Sequence, residues 1–287
     1  MKWLKLLRVH QYYKNFFIFS PLFFVGGFTK ADLLLKAFVG FIVFSMASSG
    51  VYIFNDVKDI EEDKLHPIKS KRPIASGQIK IKTTLIIMII LMSLSLTISY
   101  LINKDCFELL VGYIILNIAY SLKLKHISIL DITIIAIGFL IRIFAGAILT
   151  NVKLTIWIIL MTFLLAIFLA LAKRRDDVLI FTNLNKKTRA NIDGYNLEFI
   201  NSSMSIMASV TIVSYIFYTI SPEIEAKFHS NLLFLTSIFV IVGIMRYLQI
   251  TLVESKSGSP TGVLLEDKFL QATIYGWVLA FTLIIYY

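Results

Sequence analysis

The sequence predicts an all-α integral membrane protein, with nine transmembrane helices forming one domain over residues 1–287. Three observations carry that prediction. Hydrophobic residues make up 57% of the chain and charged residues 16%, with a mean hydropathy of +0.80; soluble domains are about a quarter charged. Apolar runs near the ~20 residues needed to cross a bilayer recur near 12–28, 32–55, 83–102, 106–122, 129–150, 155–173, 202–220, 231–253 and 269–287. Basic residues are also skewed to one side of these runs. With the N-terminus inside, the outer connections and span ends hold Lys30, Lys36, Lys104, Lys153 and Lys227, and Arg142 and Arg246 fall within spans. The other 21 of the 28 Lys and Arg lie inside, as the positive-inside rule expects.

Taken in order, the first span is the least regular. Its uninterrupted apolar part, 16–28, follows Lys2, Lys5, Arg8 and Lys14. That pattern also suits a signal peptide, but no Ala-x-Ala-like site follows it, so a retained helix is expected. Arg8, Gln11, Lys14 and Asn15 form a polar stripe, with Trp3, Tyr12 and Tyr13 as an interfacial belt. Lys14 is either part of that anchor or the holder of a lipid phosphate. Span two runs straight into an acidic segment. The connections 103–105 and 151–154 are short, whereas 56–82, 174–201 and 254–268 are longer and lie on the cytoplasmic side. Length and chemistry therefore accumulate at one face, and nine crossings place the C-terminus outside. The net charge of +10 follows from this topology and from anionic ligands; nucleic-acid binding would require a basic soluble domain. The single cysteine, Cys106, supports neither an internal disulfide nor a thiolate site.

The chemistry begins where span two ends. Asp56, Asp59 and Asp63 stand at i, i+3 and i+7 in Asn55-Asp56-Val57-Lys58-Asp59-Ile60-Glu61-Glu62-Asp63. On a continuing helix they share one face, where they repel each other unless a cation intervenes. Mg²⁺ characteristically uses one or two carboxylates together with substrate phosphate oxygens. Lys64, His66, Lys69, Lys71 and Arg72 follow at once, closed by Pro73 and Gly77. Acidic metal ligands beside phosphate-binding cations indicate a diphosphate site at the membrane surface; a solvated mixed-charge loop is the plain alternative. On span five Asp131 and Arg142 are three turns apart and share a face. An ionised side chain at Arg142's depth usually faces a polar cavity or a partner, here an anionic substrate group or a carboxylate that merely ties helices. Lys173-Arg174-Arg175-Asp176-Asp177 ends span six, offering phosphate contacts in Lys173, Arg174 and Asp177 or a cationic cap at the interface. Arg246 is a further anion contact or a packing residue.

Three motifs resemble the UbiA superfamily of intramembrane prenyltransferases. They are Asn55-Asp56-x-x-Asp59-x-x-x-Asp63, Lys69-x-x-Arg72-Pro73-Ile74-Ala75-x-Gly77 and Tyr120-Ser121-x-x-Leu124-Lys125. The resemblance covers nearly the whole chain. It implies a helical bundle around a central cavity, capped on the cytoplasmic side, with Mg²⁺ on the first Asp motif. It also adds Tyr52, Asn55, Tyr120 and Lys125 to the substrate contacts. One departure narrows the reading. Where typical members carry a second Asp-rich motif, this chain leads with Lys173. That feature is similar to the decaprenyl-phosphate phosphoribosyltransferase branch, as are Arg8-x-x-Gln11-x-x-Lys14-Asn15, Ser48-Ser49-x-Val51-Tyr52 and His66-Pro67-x-Lys69.

The branch implies phosphoribosyl pyrophosphate as donor, a polyprenyl phosphate as acceptor, and a product that feeds cell-wall or surface-polysaccharide assembly in a bacterial-type inner membrane. Asp56, Asp59 and Asp63 would hold Mg²⁺ on the diphosphate, with Lys69 and Arg72 on the leaving group. Lys173 and Arg174 would take the 5-phosphate or the incoming phosphate. An aromatic prenyltransferase using a prenyl diphosphate is the alternative, with Asp176 and Asp177 on a second metal. A transporter would need polar groups along its depth, and the interior offers little beyond Arg142, Arg246, Asn117 and serines. Oligomeric state stays open, a homo-oligomer being compatible.

Overall fold

A computed structural model describes residues 2–65, 69–184, 191–256 and 260–286; His66 and Pro67 of the basic motif lie outside them. Among the described residues every regular element is helical, and eight helices are long and apolar enough to cross a membrane. The chain is an integral membrane protein. It divides into two compact units, residues 1–125 with 138–154, and residues 126–137 with 155–287.

In the first unit α1 (Lys2–Leu6) leads into a 3-10 helix, Val9–Phe19, and then α2 (Ser20–Phe24). The long helix α3 (Ala31–Lys58) packs on this 3-10 segment, on α5 (Ile81–Ile102) and on α6 (Lys104–Leu122). Phe44, Ala47, Leu110, Ile18 and Leu22 are fully buried between them. Asn103 separates α5 from α6 and caps the latter, its side chain accepting from the Cys106 amide at 2.9 Å. That bond satisfies one of the amides a helix start leaves without a partner. Ile86, Ile89, Ile90 and Leu94 of α5 remain exposed, as apolar residues bordering lipid do, since hydrocarbon removes the drive to bury them.

The first expected span, 12–28, is not one continuous α-helix: it winds as a 3-10 helix to Phe19 and is α-helical only over Ser20–Phe24. Arg8 pairs with Asp56, Tyr12 with Ser49 and Asn15 with Ser45, and Ile18 lies against Gly40. The segment thus runs antiparallel along α3 from one end towards the other. A 3-10 helix rises about 2.0 Å per residue against about 1.5 Å for an α-helix, so Arg8 to Ile18 keeps pace with the longer stretch from Asp56 to Gly40. It faces α3 with residues 12, 15 and 18, the threefold spacing of that winding. Gly146, on α7 (Leu130–Thr150), permits the close fit: a Cβ there would stand 2.0 Å from the Ile18 carbonyl oxygen.

In the second unit α8 (Ile156–Leu184) packs on α9 (Leu197–Thr219), and α11 (Ser237–Leu252) packs on α9 and α13 (Lys268–Tyr286). The shorter α10 (Pro222–Phe228) and α12 (Pro260–Glu266) lie in the connections. Phe168, Leu171, Ile200, Met204, Tyr247 and Leu270 form the core. A polar chain joins α9, α13 and the segment before α11: Trp277 Nε1 donates to Tyr215 at 2.7 Å, and the Tyr215 hydroxyl bonds Thr236 at 2.7 Å.

Candidate active site

The acidic segment does not continue α3. That helix ends at Lys58, Asp59 takes the C-cap with φ −97° and ψ 15°, and α4 (Ile60–Leu65) starts anew. The expected single face of three aspartates is therefore split. Asp56 and Asp63, 3% and 1% exposed, both accept from one guanidinium nitrogen, Arg72 Nη1, at 2.9 and 2.6 Å. Arg8 also pairs with Asp56 and stacks over the Tyr52 ring at 4.9 Å. Asp59 turns away to Lys125, whose Nζ is 2.8 Å from both carboxylate oxygens, and accepts from Asn55 at 3.1 Å.

The turn after the acids explains why Arg72 arrives where it does. Lys69–Lys71 is a single 3-10 turn closed by the Arg72 amide on the Lys69 carbonyl at 2.9 Å. Beyond it Ile74 and Ile79 plug into a cluster with Leu6 and Ile53, while Gly77 reverses the chain at φ +73°, a conformation costly for any residue with a Cβ. The apolar residues anchor the turn and leave its arginine pointing at the acids. Lys69 is partly buried at the head of the same turn. Tyr120 is partly buried on α6, five residues before Lys125.

Three carboxylates here face three cations, Arg8, Arg72 and Lys125. Two buried carboxylates sharing one positive nitrogen bound a place for a cation among hard oxygen donors. Such a pair, completed by phosphate oxygens and water, is the set Mg²⁺ commonly takes. Among the described residues no three His, Cys, Asp or Glu converge to hold a metal unaided, so the remaining donors would have to come from the substrate or solvent.

Further along α3 and α7 of the first unit, Arg142 is 5% exposed. It donates to Asn15 Oδ1 and the Gly138 carbonyl at 2.7 Å each, to Tyr113 at 3.0 Å and to Ser48 at 3.4 Å.

In the second unit Asp131 does not share a setting with Arg142. It is 1% exposed and accepts from Arg174 Nε at 2.7 Å and the Tyr195 hydroxyl at 2.6 Å. The Ile129 amide donates to that hydroxyl at 2.7 Å. Burial and the bond to Asp131 push the Tyr195 pKa up, so it stays a neutral donor. Arg174 is itself 1% exposed and also reaches Asp177 at 3.5 Å. These three sequence candidates are thus joined in one network, buried at Asp131 and Arg174 and partly exposed at Asp177. Arg175 is 6% exposed and donates to Asn201 at 3.0 Å. Lys173 is exposed, and Asp176 lines a surface groove with Leu179, Ile180, Asn183 and Ser255. Arg246 pairs with Asp267 at 2.6 Å and Glu254 at 2.9 Å, tying α11 to the start of α13.

Sequence reasoning did not assign Arg8 and Asn15 to the site, nor Tyr195 to the buried network. The first two had a signal: spacings of three from residue 8 to 14 and from 12 to 18 are the period of a 3-10 helix. Tyr195 had none, because it reaches Asp131 only through the fold.

Residues 16–260 match the family described as the UbiA prenyltransferase family. The chain is 29% identical to a decaprenyl-phosphate phosphoribosyltransferase of Mycolicibacterium smegmatis, over 96% of this chain and 89% of the relative. It is 26% identical to the protein of that name from Corynebacterium glutamicum, over 99% and 86%. Among solved structures, a UbiA homologue from Archaeoglobus fulgidus bound to DMAPP and Mg²⁺ superposes with a TM-score of 0.73 at 21% identity, covering 98% of this chain and 99% of that one.

Proposed function

The chain belongs to the UbiA prenyltransferase family, and from that premise and the site geometry we propose that it transfers phosphoribosyl from phosphoribosyl pyrophosphate to a polyprenyl phosphate, releasing diphosphate. The observation that carries this reading is the acidic end of α3, where Arg72 bridges Asp56 and Asp63 while Lys125 holds Asp59. Relatives that align over nearly their whole length bear the name of this activity.

Asp56 and Asp63, with Asp59 in reach on the same short segment, would hold Mg²⁺. When bound, such an ion neutralises diphosphate and eases its departure. Arg72, Arg8 and Lys125 then exchange carboxylate for phosphate oxygens and take up negative charge as the donor C1–O bond breaks. Lys69 joins them from the same turn as Arg72. The ribosyl centre becomes oxocarbenium-like, as in glycosyl transfer. An anionic oxygen of the lipid phosphate forms the new bond to C1, and the electron pair of the old bond leaves with diphosphate. No proton has to be removed from the nucleophile, so positioning and charge dominate. Lys173, exposed on α8, keeps its proposed role as a phosphate contact; Arg174, sequestered with Asp131, acts in positioning.

Orientation follows from the basic connections: the acidic segment and Arg72 face the cytoplasm of a bacterial-type inner membrane, with the N-terminus inside. The pairing of Arg8 with Asp56 supports an N-terminal start at the same end of α3 as the acids. The test is a nanodisc assay with phosphoribosyl pyrophosphate, polyprenyl phosphate and Mg²⁺, run beside Asp59→Ala. Lipid-linked phosphoribose from the parent and a fall of at least about 10²-fold in the variant are expected; equal product from both would reject the metal assignment.

A further inference from the structure

Among the described residues Arg142 is a charge without a counter-charge. All four of its acceptors are neutral: Asn15, Gly138, Ser48 and Tyr113. Its guanidinium also lies over the Tyr113 ring at 4.8 Å and the Phe139 ring at 5.8 Å. Lys14, partly buried and next to the Asn15 that Arg142 bonds, has its Nζ 5.9 Å from the Tyr13 ring centroid, and among the described residues neither Lys14 nor Arg142 makes an ion pair. A buried cation such as Arg142, with a second cation on the neighbouring segment, favours an anion beside it.

The contrast with the acidic end of α3 assigns the anion. There three cations meet three carboxylates, so an incoming diphosphate must bring its own metal. Among the described residues no acidic side chain pairs with Arg142 or Lys14, which suits a phosphate that arrives without a metal. The surroundings are apolar: Phe17 packs edge-on against Phe139 at 4.8 Å, and Phe16 against Phe41 at 5.1 Å. Ser48 lies eight residues before Asp56 on α3, about 12 Å along the axis at ~1.5 Å per residue. A hydrophilic sugar diphosphate gains little from that depth, whereas an isoprenoid chain does.

We propose that Arg142 and Lys14 bind the phosphate monoester of the isoprenoid acceptor, held by Asn15 and Tyr113 at the aromatic wall of the first unit. The proposal deepens the transferase reading and rests on it for the acceptor's identity, but its test needs no turnover. Full-length protein in nanodiscs is titrated with farnesyl phosphate, farnesol, inorganic phosphate and phosphoribosyl pyrophosphate in separate arms. Asn15→Asp is the decisive variant, because it sets a carboxylate where Arg142 already bonds and so supplies the missing negative charge internally. Farnesyl phosphate affinity should fall at least tenfold in Asn15→Asp and in Lys14→Met. The thermal midpoint of Asn15→Asp should hold or rise, which a purely structural role for Asn15 does not predict. Farnesol and inorganic phosphate should bind the parent weakly, and phosphoribosyl pyrophosphate binding with Mg²⁺ should be unchanged in both variants. Unaltered farnesyl phosphate affinity in folded variants would overturn the assignment, as would a loss confined to phosphoribosyl pyrophosphate or to inorganic phosphate. If the parent shows no phosphoribosyl transfer yet these lipid-phosphate shifts appear, the site stands and the donor reading fails.

Discussion

Arg72 holds two carboxylates on a single nitrogen, and that nitrogen occupies the position where opposing charge is most valuable. Asp56 and Asp63 are nearly sealed from water, so without Arg72 they face each other across a poorly screened gap. Removing one partner of a buried ion pair costs about 3–5 kcal/mol. The lower end applies here, because Arg72 is 27% exposed and Arg8 still pairs with Asp56. Arg72→Gln should therefore lower the thermal midpoint in the absence of metal, and added Mg²⁺ should recover more of it in the variant than in the parent. Equal Mg²⁺ shifts would contradict a metal place between the two acids. Tyr195 offers a second test at this scale. Tyr195→Phe leaves an Asp131 oxygen and the Ile129 amide without their shared hydroxyl, at about 1–3 kcal/mol, read by thermal unfolding. The expected loss in activity is indirect, through Arg174, so it should be recovered at low temperature.

The 3-10 helix Val9–Phe19 carries the polar contacts that tie the N-terminal segment to α3 and to Arg142, through Tyr12 and Asn15. Its fit depends on Gly146. In Gly146→Ala the new methyl meets the Ile18 carbonyl, and the segment must move away from α7, with overpacking costing about 1–3 kcal/mol. Asn15 would shift with it, so the variant should lose lipid-phosphate affinity as well as stability. A variant with full affinity would show that the segment's register is not what places Asn15. At the other end of the chain, Asp267 caps α13 through the Leu270 amide at 2.7 Å and pairs with Arg246. Arg246 and that amide hold the Asp267 carboxyl below the usual carboxylate range. A depressed folded pKa contributes stability above the unfolded value, about 3.9, and loses it as pH falls through the folded one. Parent and Arg246→Gln should differ in thermal midpoint at about pH 6 and converge below about pH 4. The winding of the N-terminal element and the break at Asp59 were hard to read in advance. Both follow from partners distant in sequence, Asp56 for Arg8 and Lys125 for Asp59; the spacing of three hints at the first, whereas the i, i+3, i+7 spacing of the aspartates favours a continuous α-helix at the second.

For the molecule as a whole, composition and nine apolar runs sufficed to define the class, since only closed backbone hydrogen bonding survives in hydrocarbon. Eight of those runs are long, apolar helices among the described residues, whereas the first is broken into short 3-10 and α-helical pieces between Val9 and Thr29. The acidic and basic motifs, too, were legible, because charged groups beside a membrane span stand out. The partners of Arg174 and Arg246 were not: the sequence leaves each as an anion contact or a structural cation, and the fold pairs them with Asp131 and Asp267. The topology is open to test in a Cys106→Ser background. Ser76→Cys should react with a membrane-impermeant thiol reagent only from the cytoplasmic side, and Lys227→Cys only from the outside; reversed labelling would reject the orientation. The central claim is the choice of donor. The most direct measurement supplies purified protein and Mg²⁺ with phosphoribosyl pyrophosphate and a prenyl diphosphate together, alongside polyprenyl phosphate and an aromatic acid, and identifies the product by mass spectrometry. Polyprenyl phosphate carrying phosphoribose is the expected product. A prenylated aromatic acid, with phosphoribosyl pyrophosphate left intact, would contradict the account.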